Sequence, residues 1–149
     1  MGDTKERFSR SAAVHEAGRT VVAWSFGLAL GAVWVNAGDA CGGTEIGPAD
    51  HLMLTERIAV LCAGGIAQAV FGCSGNELAT FRDNIKIMKL LGLHDHTEES
   101  DALAVRAQGY EIAEAIMEAN HTRVSALADR LVKHGRIEAS DVLNLMNGR

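Results

Sequence analysis

A single proline, Pro48, stands in 149 residues, so almost nothing in this chain forces a helix to break. On either side of it, apolar residues recur at three- and four-residue steps, the spacing that aligns them on one face of an α-helix. A first helix is predicted from Ser9 to about Leu28, with Ala12, Ala13, Val21, Val22 and Trp24 interleaved with charge. A second runs from Asp50 to the Phe71-Gly72 punctuation on Leu54, Ile58, Leu61, Cys62, Ile66 and Val70. A third, from about Asn76 to Leu91, places Leu78, Phe81, Ile85, Met88 and Leu91 on one face. After a polar break from Gly92 to Ser100, one long helix is expected from about Asp101 to His134. Its stripe is Leu103, Tyr110, Ala113, Met117, Val124, Leu127 and Leu131, and Gly135 sits where a helix C-terminus favours glycine. A short helix over Ala139–Met146 closes the chain. Ala32–Asn36 and Thr44–Ile46 are short apolar or β-branched segments joined by the glycine-rich stretch Gly38–Gly43, which predicts a small hairpin or edge-strand pair. The expected fold class is mostly α: one compact helical domain over residues 1–149 with a small β element.

Composition removes several function classes. With 48% hydrophobic and 22% charged residues the chain is too apolar for disorder. The stretch from Ala12 to Leu30 carries His15, Glu16 and Arg19, which makes insertion into a bilayer expensive, and no signal-peptide pattern precedes it. A net charge of −5 and only 5% aromatic residues argue against a nucleic-acid groove. The expectation is a cytoplasmic protein with neither membrane nor nucleic-acid partners. Cys41, Cys62 and Cys73 are odd in number and unsuited to a zinc knuckle or disulfide framework, and Cys62 reads as a small core residue. Gly38–Gly43 does not open a helix, so it reads as a turn rather than a phosphate cradle. No G-x-x-x-x-G-K-[ST] loop occurs, so ATP binding is not expected.

The residues that carry chemistry begin at His15-Glu16 in the first helix. A zinc peptidase helix reads H-E-x-x-H: two histidines one turn apart bind the metal, and the glutamate deprotonates its water. Here the partner of His15 four residues on is Arg19, whose guanidinium offers no lone pair. Taken alone, such a pair is most simply a polar helix face or a hydrogen-bonded core histidine. His94-Asp95-His96 has metal-ligating side chains in the polar break but reads as solvated, and His51, His121 and His134 have no partner visible in sequence. Asn120 interrupts the apolar stripe, where a polar residue can set the register of a helix pair.

Ala13-Val14-His15-Glu16-Ala17-Gly18, followed by Val21-Val22-Ala23-Trp24, resembles the active-site helix of the FtsH-type ATP-dependent zinc peptidases, which reads A-x-H-E-A-G-H. Leu54 to Gly72 resembles the family's second helix, L-x-D-R-I-A-V-L-L-G-G-R-A-A-E-x-x-F-G. Asp83-Asn84-Ile85 is similar to the N-D-[LI] motif that opens the family's third helix, with acid and amide exchanged, and Ala128–Ser140 resembles its closing helix pair. The resemblance covers nearly the whole chain in order and implies an FtsH-peptidase-like fold without the ATPase domain or transmembrane anchor.

It further implies that His15 is the first zinc-ligand position and Glu16 the catalytic base, both vestigial because Arg19 replaces the second ligand. The third ligand position falls on Asn84, or on Asp83 after a one-residue slip. Arg19 then stands as a cation where the metal would be, within reach of Glu16 or of Asp83 across the packed helices. The expected function is a catalytically inactive module that binds a peptide or partner protein, holding neither zinc nor ATP. The first alternative is an active metallopeptidase using zinc, His15, Glu16 and Asp83 with a ligand not placed. The second is a structural oligomerisation module built on the long helix, since homo-oligomers are known in the family.

Overall fold

The computed structural model describes residues 8–38, 41–75, 77–93 and 99–148. Among these residues, helices α1 (Arg10–Ser25), α2 (Leu54–Val70), α3 (Glu77–Leu93), α4 (Glu99–Ala119), α5 (His121–His134) and α6 (Ala139–Met146) accompany a three-stranded sheet of β1 (Leu30–Val35), β2 (Gly42–Ile46) and β3 (Arg136–Ile137), which packs on α1, α5 and α6. The protein is therefore mostly helical with a small β element. None of these helices is long and apolar enough to cross a membrane.

Helix α1 is the central element. Ser9 caps it, its hydroxyl accepting the Ala12 N–H at 3.2 Å. From Ala12 to Ala23 every residue but Arg19 is buried, against α2 and α4 on one side and α5 and the sheet on the others. Its alanines and valines make it thin enough to be surrounded, and His15 and Glu16 are carried inward with them. Helix α2 packs on both α1 and α4 through Ile58, Ala59, Cys62, Ala63 and Ala67. Burial pushes the Cys62 thiol up to about 12, as expected of an unreactive core residue.

The predicted hairpin is present. β1 pairs antiparallel with β2 in the register Val33–Thr44, Trp34–Gly43 and Val35–Gly42. β3 adds to the other side of β1, giving the order β2-β1-β3 and leaving β2 as an edge. This third strand was not foreseen: it spans only Arg136–Ile137, too short for a period-two pattern. Gly135 ends α5 at φ 78°, and its carbonyl accepts the Val35 N–H at 2.7 Å, fastening the helix end to the sheet. A Cβ at Gly135 would lie 2.3 Å from the Phe8 ring. Gly135→Ala should therefore cost about 1–2 kcal/mol in urea unfolding.

Two helical expectations need correction. The single long helix is two, because Asn120 leaves helical geometry at φ −119°, ψ 27°. Its Nδ2 donates to the Ile116 carbonyl at 3.0 Å beside its own backbone N–H at 2.9 Å, and its Oδ1 accepts from Arg123 Nη1 at 3.1 Å, side-chain bonds that hold the bend. The apolar stripe continues in phase across the break, with Ala113, Met117, Val124, Leu127 and Leu131 buried, although Leu103 is exposed. The second correction concerns α3. Ile87, Leu90 and Leu91 are buried, whereas Leu78, Phe81 and Met88 are exposed. The inward face starts at Asp83, a carboxylate that a count of apolar residues alone places outside.

Candidate functional site

α1, β2, α2 and α3 converge on a cavity of about 220 Å³ lined by His15, Glu16, Arg19, Gly42, Gln68, Arg82, Asp83 and Lys86 among others. Successive positions on a helix point about 100° apart, so His15 and Glu16 reach different neighbours, while Arg19 lies one turn beyond both. His15 Nδ1 donates to Glu16 Oε2 at 2.9 Å, and His15 Nε2 lies 3.6 Å from Asp83 Oδ2 on α3. Arg19 Nη1 donates to Glu16 Oε1 at 3.3 Å, and Thr44 Oγ1 on β2 donates to the same oxygen at 2.8 Å. The backbone carbonyl of Glu16 accepts from Thr20 Oγ1 at 2.8 Å. The result is a chain of alternating charge, Asp83–His15–Glu16–Arg19, buried at its centre and more exposed at its two ends, Asp83 and Arg19.

The charge state follows from this geometry. Burial opposes a charge on His15, but the Asp83 and Glu16 carboxylates outweigh it and push the imidazole up to about 9. Burial likewise opposes ionisation of Glu16, and the contacts from His15, Arg19 and Thr44 overrule it, holding its carboxyl below the usual range. Both groups are therefore charged at neutral pH.

The ring of His15 is pressed on the other side by α2. A Cβ at Gly64 would lie 2.3 Å from His15 Nε2, so only glycine lets α2 pass this close. Gly64→Ala should displace the ring from Asp83 and destabilise the fold by about 1–2 kcal/mol, measured by urea unfolding at pH 6. The same substitution should move the His15 titration midpoint downward in NMR. α2 is also tied to α1 by Gln68, whose Nε2 donates to the Ser11 carbonyl and to Ser11 Oγ, both at 3.0 Å. Ser11 Oγ in turn donates to the Ser74 carbonyl.

Of the residues singled out in sequence, the structure brings together His15, Glu16, Arg19 and Asp83. It does not bring Asn84 to them. Asn84 Oδ1 accepts from Arg106 Nη2 at 2.9 Å and faces the Tyr110 hydroxyl at 3.5 Å, so this side chain joins α3 to α4. Of the two residues weighed for the third ligand position, Asp83 is the one that lies beside His15. His94-Asp95-His96 lies outside the described residues. His121 stacks on Phe71 with ring centroids 4.2 Å apart, a packing contact between α2 and α5. Thr44, Gln68, Arg82 and the close approach of Gly64 were not anticipated as site features, because each becomes local to His15 only through tertiary folding.

Among the described residues, those around His15 do not supply the ligand set of a catalytic zinc. His15 Nε2 is buried without a hydrogen-bond partner among the described residues and could turn to a metal, and Asp83 Oδ2 beside it is a second donor. The position one turn along α1 is held by Arg19, which contributes positive charge and no lone pair. Among the described residues no group of three His, Cys, Asp or Glu side chains is arranged to hold a metal ion. A catalytic zinc site has three protein ligands and an open position for water. The chain matches no protein-family model and no curated protein.

Proposed function

We propose that this chain is an FtsH-type zinc-metallopeptidase-like domain without peptidase activity, and that its groove serves to bind a peptide or partner protein. One observation carries the reading: Arg19 projects from α1 one turn beyond His15 and pairs with Glu16 at 3.3 Å. In that position a guanidinium balances the glutamate that would otherwise act as base, and supplies nothing to activate water. The cavity beside His15 supplies the groove. β2 forms one wall at Gly42 and is an edge strand, which leaves main-chain groups available for an extended segment to pair with.

A second reading, an active metallopeptidase using His15, Glu16 and Asp83, has one observation in its favour. The 3.6 Å between His15 Nε2 and Asp83 Oδ2 is close to the spacing of two ligands on a tetrahedral zinc, about 3.4 Å for bonds of about 2.1 Å. It lacks a third donor among the described residues. The two readings separate in a peptide-hydrolysis assay of the whole chain with added zinc, run beside Glu16→Gln. The proposal expects no hydrolysis above the Glu16→Gln background. Zinc-dependent turnover abolished by Glu16→Gln would overturn it in favour of the enzyme.

A further inference from the structure

Beside the His15 groove lies a second cavity of about 330 Å³, and Lys86 lines both. Ala49, Val60, Leu61 and Leu90 give this second cavity an apolar wall, and the charged side chains lining it are Lys86, Lys89 and the Asp50–Arg57 ion pair. Arg82, Lys86 and Lys89 follow one another along α3 at steps of four and three, so they share one face of the helix. All three are exposed, and none makes an ion pair with a described residue. By contrast, the carboxylates nearby already have partners: Glu16 has Arg19, Asp83 has His15, and Asp50 has Arg57 at 3.7 Å. In a protein of net charge −5, this strip is a local surplus of positive charge beside a cavity with an apolar wall.

That pairing of features specifies a ligand. Within a peptide, an apolar side chain and a full negative charge meet on one residue only at the C-terminus. We propose that the groove captures the C-terminal end of a peptide whose last residue is apolar, with that side chain in the second cavity and the terminal carboxylate held by Lys86 and Lys89. The residues before it run back past Arg82 into the His15 groove. This inference rests on the peptide-binding reading above and gives it a substrate class.

The test is calorimetric titration of the whole chain with two pools of N-acetylated hexapeptides, mixed in sequence but all ending in leucine, one as free acids and one as amides. A third pool of free acids ends in serine. The leucine acids should bind about tenfold more tightly than the leucine amides, and about tenfold more tightly than the serine acids. In Lys86→Gln/Lys89→Gln, two exposed positions whose replacement leaves the core intact, the gap between acid and amide should close through loss of acid affinity. Equal binding of acids and amides by the wild type would overturn carboxylate capture and leave groove binding standing. An undiminished gap in the double variant would overturn the placement at Lys86 and Lys89. Absence of binding by every pool would overturn both this inference and the peptide-binding reading.

Discussion

Arg19→His is expected to raise the affinity of the chain for zinc by about a hundredfold or more. Residues 15 and 19 lie one turn apart on α1, so the substitution puts a second imidazole beside His15 Nε2, itself 3.6 Å from Asp83 Oδ2. Three donors then replace two, and a cation is removed from their midst. Removing the Arg19–Glu16 pair should lower apo stability by about 1 kcal/mol, a modest loss because the guanidinium is partly in solvent. Adding Asn84→Asp should bring no further zinc affinity, since that side chain is directed at Arg106 and Tyr110. A competitive zinc titration of wild type, single and double variants in one buffer checks both statements. A folded Arg19→His variant with wild-type affinity would mean that positions 15, 19 and 83 do not converge.

The ion-pair chain should also make stability fall as the solution turns alkaline, by about 3 kcal/mol between pH 6.5 and pH 9. The sign follows from His15. Its pKa is raised from 6.5 to about 9 on folding, so the folded protein binds the proton more tightly. The stabilisation is complete below pH 6.5 and is lost as pH rises through 9. Glu16 works from the opposite side: its pKa is lowered from 4.5, so its contribution is present above that value and disappears as pH falls through the folded pKa. Together they place the most favourable window between about pH 4.5 and 6.5. Urea unfolding across this range should show the alkaline decline in the wild type, and His15→Gln should flatten it. Stability that stays level or rises from pH 6.5 to 9 would contradict the buried ion-pair chain.

How far the sequence foretold this structure depends on which residues are asked. Spacing of apolar side chains located α2, α6 and most of α1, and it survives where packing rather than chemistry chooses the residue, as at Met117, Val124 and Leu131. It located α3 but misplaced the inward face, because that face is opened by Asp83, whose carboxylate meets His15 rather than an apolar neighbour. It missed the break at Asn120 because the stripe stays in phase on both sides, and only local side-chain bonds to Ile116 and Arg123 mark the interruption. His15, Glu16 and Arg19 were legible because they share one helix turn, so their geometry is fixed by local spacing. Thr44 and Gln68 arrive from β2 and α2, and the second cavity draws on two stretches distant in sequence, 49–61 and 86–90. No one-dimensional pattern records such meetings.

The claim on which the rest depends is that Arg19 occupies the place of a metal ligand and leaves no catalytic zinc site. Elemental analysis of the purified chain, after dialysis against a weak chelator, measures this directly. The account predicts zinc far below one ion per chain. Zinc near one per chain, lost on His15→Gln or Asp83→Asn, would contradict it.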